Sequence, residues 1–363
     1  MNQARTVVRH APGKLYVAGE YAVVEPGHRA VLVAVDRHVT VAVTAVERPG
    51  VVIASDLLPR PEHYTFDGGR LGGGAGGVPH VVAAIETVAA LLADRGLEVP
   101  GLEVSVTSTL HEAGTKYGLG SSGAVTVAAV AAVAAACGLD LGAAQRLRLA
   151  LLASARIDAG GSGGDLAAST YGGWIAYRAP DRAFVADLAR RRGVQAALEA
   201  DWPGLQVRRL PAPRALSLHV GWSGSPASTT SLVAALHRKA WRGTPSHQKF
   251  LAASADFVTA AIDALEAGDD GSLLEQIRRS RQELARLDDE VGLGIFTPAL
   301  TALCDAAESA GGAAKPSGAG GGDCGIALLD VGAAHHLAHV HQRWAAAGVL
   351  PLPVAAAPEG NRP

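Results

Sequence analysis

From residue 29 to 46 the chain reads RAVLVAVDRHVTVAVTAV, an apolar run that turns into valine alternating with polar residues. β-Branched residues at period two predict one or two strands there. Comparable stretches predict strands at 5–10 and 14–24, around a Pro12-Gly13 turn, and at 102–110, 172–179, 215–224 and 324–330. Apolar residues recurring at helical spacing predict helices over 79–95, 122–137, 142–157, 226–241, 246–267, 271–288, 297–310 and 332–347. The glycine run at 72–77 reads as a surface loop. Strands and helices mix without a regular βαβ alternation, so the expected class is α+β, not a doubly wound sheet. Pro203, Pro211 and Pro213 suggest a join near 200–214, giving lobes at 1–205 and 206–363. There is no internal repeat.

Nearly half of the 363 residues, 48%, are hydrophobic, which predicts a folded chain with a sizeable core. A net charge of −2 argues against a nucleic-acid partner, which selects for a basic face. Cys137, Cys304 and Cys324 are odd in number and far apart, so a reducing compartment is the simple reading. The first residues, MNQARTVVRHAPGK, lack the apolar segment of a signal peptide. The run at 124–139 is too short and too alanine-rich for a membrane span. The expectation is a cytoplasmic protein with no membrane partner, a monomer or homodimer.

Chemistry concentrates first in KYGLGSSGA, residues 116–124. GLGSSG matches G-x-G-x-x-G, but a dinucleotide site needs a strand running into the first glycine and an acid ending the next strand. Here the strand stops at Leu110, and Asp140 follows a Cys137-Gly138 helix stop. The Walker A pattern fails too, because Gly13-Lys14 is followed by Leu15. The loop nonetheless suits an anion. Glycines turn backbone N–H groups inward, and a helix starting near Ser122 adds its positive end. Ser121 and Ser122 supply hydroxyls and Lys116 a charge, although a plain serine N-cap would also account for Ser122 alone. Three further glycine-serine loops follow: GGSGGD (160–165), GWSGSPASTT (221–230) and KPSGAGGGDCG (315–325). Several such loops suit a protein that handles more than one phosphorylated ligand.

Two of these stretches, KYGLGSSGA and KPSGAGGGDCG, together with APGKLYVAGEYAVV (11–24), resemble in order and spacing the three motifs of the GHMP kinases. The likeness spans about residues 8–330. In GKLYVAGEYAVVEPG, GWSGSPAST and GAGGGDCGIAL the detail is most similar to the bacterial branch that acts on 5-phosphomevalonate. The resemblance implies two lobes, an N-terminal one like ribosomal protein S5 domain 2 and a C-terminal ferredoxin-like one. It also implies ATP and 5-phosphomevalonate as substrates, 5-diphosphomevalonate and ADP as products, and Mg²⁺ as the accompanying ion. ATP would lie on Lys116, Gly118, Leu119, Gly120, Ser121, Ser122 and Gly123, with Ser122 also on the metal. Lys14 and Asp165 match the catalytic pair. Tyr16, Tyr21, Ser162, Ser317, Gly318 and Arg238 are candidate acceptor contacts, with core packing an equal reading for the two tyrosines.

If the acceptor is itself a phosphate, two anions must be brought together. Charges about 4 Å apart repel by roughly 4 kcal/mol at an effective dielectric near 20, so cations must offset them. Lys14 is the first candidate for that role. A phosphate acceptor is mostly ionised at neutral pH and needs little help losing a proton. Asp165 is therefore expected to orient Lys14 and the acceptor, not to act as base. The family often carries a glutamate eleven positions before the aspartate; here that position is Ser154, and Asp158 is the nearest acid. His335 and His339 stand one helical turn apart without the HExxH glutamate and read as a surface helix. Cys324 reads as a packing residue. A sister kinase for mevalonate or another small alcohol, a related ATP-dependent decarboxylase, and a non-catalytic ligand sensor on the same fold remain as alternatives.

Overall fold

The valine-rich stretch at 29–46 forms one strand in the computed structural model, which describes residues 5–112, 115–226, 241–332 and 334–357. Residues 30–35 are buried without interruption, whereas farther on the buried positions alternate, at Val39, Val41 and Val43. An unbroken apolar run fits a sheet covered on both faces, and alternation fits one with a solvated face. The strand is thus central at one end and half-exposed at the other.

It is the second of eight strands in the first sheet: β1 (Thr6–Ala18), β2 (Arg29–Val46), β3 (Val51–Ser55), β4 (Glu62–Asp67), β5 (Arg70–Gly73), β6 (Gly101–Ser108), β9 (Trp174–Arg178) and β10 (Gln206–Leu210). The order is β10-β9-β2-β6-β3-β4-β5, with β1 also on β2, and β3 and β6 run parallel. The expected turn at Pro12-Gly13 is absent: β1 stays paired to β2 past it, and a register shift between Pro12 and Lys14 absorbs the irregularity. A two-stranded ribbon, β7 (His111–Glu112) and β8 (Thr115–Lys116), leads into the glycine loop.

Helices α1 (Pro79–Asp94), α2 (Ser121–Ala136), α3 (Ala143–Ala155) and α4 (Gly164–Tyr171) form a layer beside this sheet. The alanine-rich α2 is buried on nearly every side, packed between β1, β2, α1, α3 and α4. A helix apolar all round belongs inside, and small alanines allow five neighbours to approach it. Then come α5 (Arg182–Arg192) and α6 (Val194–Glu199).

The chain passes to a second sheet between Leu210 and Leu216; β10, just beyond the expected 205/206 boundary, pairs with β9. The second sheet is antiparallel: β12 (Ala313–Pro316), β13 (Cys324–Asp330), β11 (Leu216–Trp222) and β14 (Leu350–Leu352) in that order. With it pack α8 (Asp270–Val291), α9 (Pro298–Ser309) and α10 (Ala334–Ala346), and α7 (Pro245–Ala267) packs on α8. α7 also lies against β1, β2 and β10, so one core runs through both sheets. Residues 227–240 of the helix expected at 226–241, Arg238 among them, fall outside the described residues, as does the His335 side chain. No described helix is long and apolar enough to cross a membrane.

Candidate active site

α2 begins at Ser121, with Gly120 as N-cap in the left-handed region, φ 77°. No side chain caps this end, and neither Ser121 nor Ser122 engages its hydroxyl with another described residue. The serine N-cap reading therefore does not apply, and both hydroxyls line a cavity of about 380 Å³ at the positive end of the helix. Gly118, Gly120 and Lys116 line the same cavity. Leu119 does not; it is buried, and its carbonyl accepts from the Lys14 backbone N–H at 2.8 Å. That bond ties the glycine loop to β1. Gly123 lies one turn inside α2, where a Cβ would stand 2.5 Å from Oδ2 of Asp165. Only glycine lets the first turns of α2 and α4 approach so closely.

The opposite wall comes from β1. Lys14 is largely buried and its Nζ rests 5.3 Å from the Tyr16 ring centroid, a cation–π contact. Among the described residues no salt bridge joins Lys14 to Asp165, and the contact the Lys14 ammonium makes is with the Tyr16 ring. Lys14 and Asp165 both line the cavity. Tyr16 exchanges a 2.6 Å hydrogen bond with the Ser162 hydroxyl, and Tyr177 donates to the Ser162 carbonyl at 2.8 Å. Burial, and then the Asp165 charge, push the Tyr16 hydroxyl well above the ordinary phenol range. It therefore serves as a neutral hydrogen-bonding group. Asp165 sits in the first turn of α4, where a carboxylate is favourably placed.

The second sheet closes the cavity through the β12–β13 loop, with Gly318, Ala319 and Asp323. Tyr21 lines it too and donates to the Ala319 carbonyl at 2.5 Å. Ser317 does not line it. Its buried hydroxyl accepts from the Tyr16 N–H at 2.8 Å and donates to the Tyr16 carbonyl at 3.1 Å, pinning the two lobes together. Lys315, the lysine of the third motif, is fully buried and paired with Glu20; its Nζ also donates to the Pro316 carbonyl at 2.8 Å. It is a strut, not a ligand contact.

Sequence reasoning missed several lining groups. His80, at the start of α1, faces the cavity with its pKa lowered by burial; Asp165 opposes that shift and Lys116 adds to it. The imidazole is accordingly neutral near pH 7. Ser154 and Asp158, noted only for their spacing to Asp165, both line the cavity. Nothing in the helical period at 79–95 separates His80 from any surface histidine.

Two family models match the chain: the GHMP kinases N terminal domain over residues 80–173 and the GHMP kinases C terminal domain over 261–345. A curated phosphomevalonate kinase of a Streptomyces species is 64% identical, with 98% of each chain covered. A mevalonate kinase of Thermococcus onnurineus is 27% identical over 89% of each. Among solved structures, Streptococcus pneumoniae phosphomevalonate kinase in complex with phosphomevalonate and AMPPNP matches with a TM-score of 0.83 at 27% identity. The match covers 96% of this chain and 99% of that one.

Proposed function

The chain belongs to the GHMP kinases, and on that premise we propose that it transfers the γ-phosphoryl group of ATP to 5-phosphomevalonate, giving ADP and 5-diphosphomevalonate. The reaction is a step of the mevalonate route to isoprenoids. One observation carries the reading: three motifs distant in sequence meet at one cavity, in a chain 64% identical to a phosphomevalonate kinase.

An oxygen of the acceptor phosphate attacks the γ-phosphorus, and the bond to the β–γ bridging oxygen breaks, releasing ADP. Such transfers depend on positioning and on charge stabilisation. The α2 N-terminus, with Ser121, Ser122 and the N–H groups of the glycine loop, takes the nucleotide phosphates. Lys14, held on Tyr16, offsets the repulsion between acceptor and transferred group. The acceptor phosphate is mostly a dianion at pH 7, so no base is needed, and Asp165 orients the reactants. Ser162 and Tyr16 form the acceptor's side of the cavity.

Mg²⁺ fits this donor set. Hard cations take oxygen ligands, and Ser122, Ser154, Asp158 and Asp165 present oxygens to the cavity. Among the described residues no group of three or more His, Cys, Asp or Glu forms a metal cage. Ser122 would hold the ion alongside nucleotide oxygens and water, and the ion would neutralise charge on the β- and γ-phosphates.

A substrate panel with ADP detection tests the reading. Turnover is expected with 5-phosphomevalonate; turnover of mevalonate with none of 5-phosphomevalonate overturns it in favour of a sister kinase.

A further inference from the structure

A second cavity, of about 220 Å³, lies between the outer face of the first sheet and α7. No residue lining it lines the cleft described above. Its walls include Arg29, Arg178, Arg208 and Gln206, with Ala176 and Ile262 as an apolar back. The sheet register explains why these residues gather. Arg29 on β2 stands directly opposite Arg178 on β9, and Arg178 directly opposite Gln206 on β10. Arg208 stands two positions along β10, on the same face. Directly opposed residues of antiparallel strands hold their Cβ atoms about 5 Å apart, and like charges placed there are destabilising.

Little in the chain offsets this. Arg208 pairs with Glu266 of α7. Arg178 donates its Nε to the Gly27 carbonyl at 2.9 Å, which fixes the guanidinium without neutralising it. The Arg29 guanidinium has no hydrogen bond or ion pair among the described residues, its backbone alone being paired in the sheet. Planar guanidinium groups match oxyanions bidentately, and a concave site with apolar backing focuses their field.

We propose that this cavity is a second anion site, which binds a small polyvalent oxyanion such as a diphosphate- or phosphate-bearing metabolite. Arg29 and Arg178 are the principal ligands, Gln206 is an uncharged donor, and Glu266 competes with the anion for Arg208. The site lies outside the cleft, so it does not depend on the reaction assigned above.

Calorimetric titration of the whole protein with inorganic diphosphate tests this, with Mg-AMPPNP present to occupy the cleft. A saturable site is expected. Arg29→Ala should weaken it at least tenfold, and Glu266→Gln, by freeing Arg208, should tighten it. The tightening is a gain that general damage to the fold would not produce. Absence of binding, or binding that Arg29→Ala leaves unchanged, overturns the proposal.

Discussion

Replacing Lys315 with methionine should destabilise the protein in a way that grows with pH. The lysine is fully buried and Glu20 is 4% exposed. Without the ammonium, the Glu20 carboxylate keeps one described donor, the Gly318 N–H at 3.4 Å, and its other oxygen has no hydrogen-bond partner. Removing one member of a buried pair costs about 3–5 kcal/mol. An upper bound follows independently. The stranded carboxyl can take a proton instead, and keeping a carboxylic acid neutral at pH 7 against a solution pKa of about 4.3 costs about 3.7 kcal/mol. The two figures agree at about 3–4 kcal/mol near pH 7. In the variant the folded state then binds a proton that the unfolded state has released. Stability therefore falls by about 1.4 kcal/mol for each pH unit above the unfolded value, until the buried acid ionises. Urea unfolding of wild type and Lys315→Met at about pH 5.5 and 7.5 should show the deficit shrinking by up to about 2.7 kcal/mol at the lower pH. Lys315→Met with Glu20→Gln should recover most of it, as expected for coupled neighbours. A deficit below about 1 kcal/mol, or one indifferent to pH, would refute the reasoning.

Three further outcomes are expected. Gly123→Ala places a methyl 2.5 Å from Oδ2 of Asp165 and must displace that carboxylate, so kcat should fall by about 10²-fold while the far-ultraviolet spectrum stays unchanged. Burial pushes the Cys137 thiol up to about 11 and the Cys304 thiol to about 12, and raises Cys324 further still. No thiol of the native protein should therefore react quickly with a disulfide reagent at neutral pH, and fast loss of Cys324 would show an activated thiolate in the third motif. His80, His219 and His341 all have pKa values lowered by burial, so the unfolded chain takes up their protons first as pH falls. Thermal stability should drop below about pH 6.5, and His219→Asn should flatten the drop.

What the sequence revealed followed the strength of the local signal. The run at 29–46 announced β2, and even its shift from unbroken to alternating apolar residues matched the burial. GLGSSGA announced the start of α2 to within one residue, because glycines, serines and an alanine-rich run leave few other conformations. Short elements gave no such signal. β3, β4 and β5 are four to six residues each and partly exposed, and α4 is eight residues long. Pro12-Gly13 looked like a turn because local chemistry favours one, but the long pairing of β1 with β2 overrode it. Lys14 and Lys315 both sit in motif lysine positions and cannot be told apart by spacing. One reaches a cavity and the other a buried glutamate 295 positions away, and only the tertiary fold separates them. Ser317 was misleading in the same way, since its hydroxyl is committed to the Tyr16 backbone.

The proposed chemistry rests on cationic charge drawing two phosphates together, with Lys14 the larger contributor and Asp165 the smaller. Steady-state kinetics of Lys14→Met and Asp165→Asn with ATP and 5-phosphomevalonate measure this directly. Losing about 4 kcal/mol of charge stabilisation at Lys14 should lower kcat by about 10³-fold. Asp165→Asn should lose about 10–10²-fold, since it costs orientation alone. A loss at Asp165 equal to or above that at Lys14 would contradict the charge-gathering mechanism and point to the carboxylate as an essential base.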